Sequence, residues 1–250
     1  MTAALAIPRA LEDAPARQRE RIQVLESRPG VREVLIITAS TAGTDAERHA
    51  VIVLAGGGGG FAVTFSDGVP CVQGGLPLAQ RQRLASAVGG PVVALSPPTD
   101  QPVMSEAWRM SEQHMADLSA AVTWTMTTWP AAQTWVLGVA HGALSAAVAA
   151  SSIERLAGVV LLSCADADES LGPSPCAEGM RVLAVQSTQD CRASYALSHA
   201  RGRKTFVTVH DERAAYGEAA NGPCFGGKEE QVVDVVARWI VTGAAPGEIR

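Results

Sequence analysis

The stretch 134–151, "TWVLGVAHGALSAAVAAS", reads as a buried strand, a tight glycine-flanked turn and a helix of small residues. Turns of the form G-x-S-x-G at a strand-to-helix junction expose a serine nucleophile at their tip. Here the turn is Gly138-Val139-Ala140-His141-Gly142, and its tip, Ala140, has no nucleophilic group. His141 follows at the start of the helix, where the dipole favours the neutral imidazole. That histidine is a candidate to hydrogen-bond a ligand or act as a base; the alternative is a packing or capping role.

A second chemical feature is "AGGGGGF", five consecutive glycines from Gly56 to Gly60 after an apolar run. Without side chains, Gly57, Gly58 and Gly59 can turn their amides toward a bound group. The run lacks the G-K-[ST] ending of a phosphate-binding P-loop and fails the G-x-G-x-x-G spacing, because the third glycine falls on Phe61 or Ala62. A loop that donates amides to an oxyanion remains, beside the plainer reading of a flexible turn. In "STQDCRAS", Asp190 stands where a carboxylate at a strand end orients a histidine or caps the next helix. His210 reads as a surface residue, Ser145 as a helix–sheet packing residue, and Cys224 as a thiol without an adjacent base.

The elements that position these residues alternate along the chain. Strand patterns cover 21–27 and 32–40, joined at Pro29-Gly30 as a hairpin, then 50–56, 91–98, 134–139, 157–164, 180–188 and 204–211. Helical spacing covers 78–90, 111–130, 141–151, 191–201 and 228–243. In 111–130, Ser111 is the expected cap, and Met115, Leu118, Val122 and Met126 share the expected apolar face. Alternation of this kind predicts a mostly parallel eight-stranded sheet with helices on both faces and an N-terminal antiparallel hairpin. Ligands in such folds sit at the carboxyl ends of the strands, where both glycine features fall. The chain divides into an extension, 1–20, a single domain, 21–243, and a tail, 244–250.

Composition narrows the function. A net charge of −5 without a Lys/Arg cluster argues against nucleic acid or an anionic membrane as partner. No run of about 18 apolar residues is long enough for a membrane-spanning helix, and the N-terminus lacks a basic, then apolar, signal pattern. Five cysteines at irregular spacing form no zinc motif, so no metal and no cofactor are expected, and reduced thiols in a cytoplasmic protein are the simplest reading. Of the dispersed tryptophans, Trp108 is the one expected to face a pocket.

Taken in order, the glycine loop, elbow, acid and C-terminal amphipathic helix resemble the α/β-hydrolase family. The closer resemblance is to a bacterial esterase-like subgroup with a "GGGG" loop, a "P-S-D-x-P" segment, an elbow of the type "G-T-S-R-G-T-x-S-A", an acid in a "D-x-C"-like motif and a C-terminal "H-G-(Y/F)-x-G-x-E". The matching segments are "GGGGG" at 56–60, "SPPTDQP" at 96–102, "GVAHGALSA" at 138–146, "DC" at 190–191 and "PCFGGKE" at 223–229. The resemblance implies that Ala140 occupies the nucleophile position, Asp190 the acid position and Pro223 the histidine position. Arginine stands at the His141 position in that subgroup, and cysteines in the loops of Cys191 and Cys224 raise a bridge as an alternative to reduced thiols. Loss of the serine or histidine of a working triad costs on the order of 10⁶ in turnover. The implied protein is a hydrolase-like fold without serine-hydrolase chemistry, holding a small molecule with a carbonyl or anionic group; a protein partner or homodimer stays open. Two alternatives stand beside it: a lyase, isomerase or cyclase that uses His141 and the glycine loop, and an esterase with a rebuilt triad or an inactivated variant of an active esterase.

Overall fold

A computed structural model of the chain describes residues 20–40, 48–66, 69–163, 180–188, 203–210 and 225–250. Asp190, Pro223, Cys191, Cys224 and the expected helix 191–201 lie outside the described residues.

Strand β1 (Glu20–Arg28) turns at Pro29-Gly30 into β2 (Val31–Thr38), and the two pair antiparallel. Gly30 takes φ 76°, a left-handed value that only glycine adopts without strain. The strands β3 (His49–Leu54), β6 (Val92–Leu95), β7 (Gln133–Val139), β8 (Gly158–Leu162), β9 (Arg181–Ser187) and β10 (Arg203–Val209) run parallel to one another. The sheet order is β1-β2-β6-β3-β7-β8-β9-β10, with β11 (Glu248–Ile249) at the far edge, so β7, which carries the glycine-flanked turn, is central. Among the described residues the sheet has nine strands rather than the expected eight. The ninth is β11, within the stretch read as a tail, which pairs with β10; two residues are too short to show a period. A separate hairpin, β4 (Ala62–Ser66) and β5 (Val69–Gln73), follows the glycine loop.

Neighbouring residues along each strand face opposite sides, and both sides are covered. Val51, Val53, Leu137 and Val139 pack on one side with α1 (Arg81–Val88) and α5 (Glu229–Thr242). Ile52, Leu54, Val136 and Leu161 pack on the other with α3 (Glu112–Thr128) and α4 (His141–Ser152). Burial on both faces explains the continuous apolar runs in the sequence, and each fully buried Val, Leu or Ile side chain contributes about 1.5–3 kcal/mol. A one-turn helix, α2 (Glu106–Arg109), precedes α3 and was not evident from the sequence. Among the described residues no helix is long and apolar enough to cross a membrane.

Candidate functional site

The register of the two central strands builds the site. Leu54, the last residue of β3, pairs with Gly138 of β7, so the glycine loop and the turn leave the sheet side by side. At the tip, Ala140 has φ 47° and ψ −120°, a strained conformation for a residue with a Cβ. The flanking glycines show what imposes it. A Cβ on Gly142 would lie 2.3 Å from the Leu54 carbonyl oxygen and 2.7 Å from that of Ala55. A Cβ on Gly138 would come as close to the Gly142 carbonyl oxygen. The turn is thus driven against the end of β3, and α4, rich in alanine, follows at close quarters.

The glycine loop rests on the same turn. A Cβ on Gly56 would sit 3.1 Å from the Val139 carbonyl oxygen and 3.3 Å from the Ala140 Cβ. Gly57 and Gly59 have φ 52° and 85°. Within the run, Gly59 spends its amide on the Gly56 carbonyl at 2.9 Å, and Met104 donates to the Gly58 carbonyl at 2.9 Å. The structure therefore brings Gly57, Gly58 and Gly59 to the same end of the sheet as Ala140 and His141.

His141 has an acidic neighbour that sequence reasoning did not find. Its Nε2 lies 3.0 Å from Glu106 Oε1, with both side chains partly exposed. A neutral imidazole that donates from Nε2 to this carboxylate keeps the lone pair of Nδ1 as a base or acceptor. Glu106 is held at the start of α2, where Ser105 caps the helix by accepting from the Trp108 amide at 3.2 Å. Trp108 sits on the same short helix, its ring 5.6 Å from the Arg28 guanidinium carbon and its indole N–H buried without an acceptor.

Beneath the glycine loop lies a buried polar strut. Arg109, fully buried, donates to the Gly57 carbonyl at 2.8 Å, the Ala55 carbonyl at 3.2 Å and Ser145 Oγ at 3.1 Å. Ser145 Oγ lies 2.8 Å from His114 Nε2. Burial lowers the arginine to about 10. His114 falls to about 4, through burial first and the Arg109 charge second, so it is neutral at pH 7. Ser145 is thus more than a packing residue: it accepts from the cation and meets the imidazole. Its side chain is fully buried, as is nearly all of His114, so this pair presents no nucleophile to solvent.

The same seam corrects the expected face of α3. His114, Asp117, Leu118, Ala121, Val122 and Thr125 are buried, whereas Met115 and Met126 are only partly so. The helix is rotated because its polar residues have partners inside. Asp117 accepts from Ser27 Oγ at 2.5 Å and from Arg28 at 2.8 and 3.0 Å. Arg28 also reaches Asp100 of the "SPPTDQP" segment at 3.0 Å. Glu33, 1% exposed, has no hydrogen-bond partner for either carboxylate oxygen. Desolvation, then the Asp117 charge, raises it to about 8, so it is buried as the acid. Nothing in the mostly polar run 105–114 singled out Glu106, Arg109 or His114.

His210 follows β10, three strands from β7, with Nε2 3.4 Å from Glu248. Among the described residues no group of three or more potential metal ligands is found.

A parallel sheet with an antiparallel hairpin edge, helices on both faces and a strained turn after the central strand is the α/β-hydrolase fold. Solved structures share it. A dienelactone hydrolase from Anabaena variabilis matches with TM-score 0.57 at 14% identity, over 89% of this chain and 97% of that one. DcsB, in complex with its substrate analogue, matches with TM-score 0.62 at 12% identity, over 88% and 98%. A fungal esterase from Rhizomucor miehei matches with TM-score 0.59 at 13% identity, over 95% and 86%. No family model and no curated protein matches the sequence.

Proposed function

We propose that the chain is a non-hydrolytic protein of the α/β-hydrolase fold that binds a small molecule, with a carbonyl or anionic group, between the glycine loop and the Ala140–His141 step. The observation that carries this reading is the elbow itself. Ala140 holds a strained conformation, of a kind that costs about 1–3 kcal/mol, although a methyl group has nothing to present for attack. What the conformation retains is the amides of Gly57 and Gly58 beside the N-terminus of α4, an arrangement that favours oxygen with negative charge; the Gly59 amide is already bonded to the Gly56 carbonyl. Asp190 and Pro223 enter through the resemblance alone, with proline offering no base. The one large sheet, the irregular thiols and the net charge of −5 fit one domain in a reducing, cytoplasmic setting that takes a small-molecule ligand.

Two measurements test it. Incubation with p-nitrophenyl acetate and a fluorophosphonate probe is expected to yield neither turnover nor adduct; a serine adduct would sink the proposal and revive an esterase with a rebuilt triad. Titration with butyrate, followed by amide NMR, is expected to shift Gly57, Gly58, Gly59 and His141. A silent spectrum at those residues would remove the binding half of the reading.

The Glu106–His141 contact favours a second reading, acid–base chemistry of the lyase or isomerase kind, with Nδ1 as the base. Under it, a ligand bound at the loop is converted, and His141→Ala abolishes conversion while leaving butyrate binding largely in place. A ligand recovered unchanged supports the binding reading instead.

A further inference from the structure

At the end of the sheet remote from the elbow, a cavity of about 910 Å³ opens where β3, β7, β9 and β10 begin and α5 ends. The seven residues of β7 separate this end from Ala140, a span of roughly 20 Å at the rise of a strand. Arg48, Arg181, Arg203 and Lys204 line it together with Thr205 and Trp239, and no acidic residue does so among the described residues.

The arrangement of these cations runs against stability. Arg203 and Arg181 are direct partners in the β10–β9 register, and like charges placed opposite each other on neighbouring strands destabilise a sheet. Their mutual repulsion lowers Arg181, second to the effect of burial. His49, at the cavity wall, is lowered by burial, then by Arg181 and Arg48. Arg181 has a structural reason to be there. It is stacked 4.7 Å from the rings of both Trp135 and Trp239 and donates to the Trp239 carbonyl at 2.9 Å near the end of α5. Arg48 and Arg203 are exposed around it, which the packing of the core does not require.

We propose that this cavity is a binding site for a small organic polyanion bearing two or more phosphate groups. Arg48 and Arg203 neutralise the phosphates, Arg181 is a preset cation at the base over the buried Trp239, and the exposed Val241 and Gln133 form a wall for the organic part. The size favours a small molecule, since about 300–1,000 Å³ is the usual range of ligand pockets. The site is independent of the reading of the elbow.

Isothermal titration calorimetry of the full chain, at matched ionic strength, tests it with tripolyphosphate and ATP against acetate. Saturable one-to-one binding of both polyphosphates, and none of acetate, is expected. Arg48→Gln and Arg203→Gln should each weaken binding about tenfold, the loss of one charge-assisted hydrogen bond. Absent saturation, or affinity unchanged in both variants, would overturn the proposal. Should either variant fail to fold, the native protein decides: tripolyphosphate must shift the Trp239 indole and Thr205 resonances. Tighter binding of duplex DNA or anionic vesicles than of tripolyphosphate would also overturn it.

Discussion

Arg109 donates to the carbonyl oxygen of Gly57 at 2.8 Å, so a fully buried cation from α2 holds the glycine loop against the turn that contains Ala140. The same side chain reaches the Ala55 carbonyl and Ser145, tying β3, the loop and α4 together.

Removing that cation leaves buried acceptors unpaired. Arg109→Met is expected to destabilise the protein by about 3 kcal/mol or more, on the scale of lost buried hydrogen bonds. Urea denaturation measures the loss, and amide exchange at Gly57–Gly59 should accelerate beyond the global change. Native-like exchange in the loop would mean that the strut does not restrain it.

Ala140 offers the opposite result. Glycine accepts positive φ without strain, so Ala140→Gly relieves about 1–3 kcal/mol and loses roughly 0.5–1 kcal/mol to chain entropy. The expected outcome is a net gain of about 1 kcal/mol, read as a higher Tm. A lower Tm would show that the methyl packing against the loop outweighs the backbone strain.

The two glycine features differ in tolerance. Gly142→Ala places its methyl against two backbone oxygens that cannot move independently, so a loss of at least about 3 kcal/mol, or failure to fold, is expected. A Cβ on Gly60 meets nothing within 4 Å, and Gly60→Ala should change stability by less than about 1 kcal/mol. Paired chemical denaturation curves check the contrast.

Two buried groups set a pH profile with opposite slopes. Glu33, raised to about 8 from 4.5, retains its proton in the folded state after the unfolded chain has lost it. Its contribution is complete below pH 4.5 and is lost as pH rises to about 8. His114, lowered to about 4 from 6.5, contributes above pH 6.5 and loses that contribution as pH falls to about 4. The slopes oppose each other between about 4.5 and 6.5, leaving Glu33 to lower stability above that window. Glu33→Gln should flatten the decline between pH 6.5 and 8, a change of order 2 kcal/mol. An unchanged slope in stability measured at several pH values would remove Glu33 as its source.

Much of the architecture could be read from local pattern. Strands buried on both faces produce uninterrupted apolar runs such as 50–54, and the small residues of 138–151 announce a turn and helix packed close to the sheet. Glycine, alanine and histidine in "GVAHGA" also indicated a turn without a nucleophile, because side-chain chemistry is visible without coordinates. The partners of that turn were not visible. Glu106 meets His141 across 35 positions of sequence, and Arg109 meets Ser145 across 36; such pairings arise from how α2 lies against α4, which no periodicity encodes. The face of α3 shows the same limit. Its apolar spacing pointed toward Met115 and Met126, but the helix turns to bury His114 and Asp117, since a polar group with partners can be buried and one without them is better solvated. The sequence by itself determined the alternation of the main strands and helices, the two glycine features and the alanine at the tip of the turn. Only the tertiary structure decided the strain at that alanine, the acid beside His141 and the cation under the loop, because each depends on contacts between segments far apart in the chain.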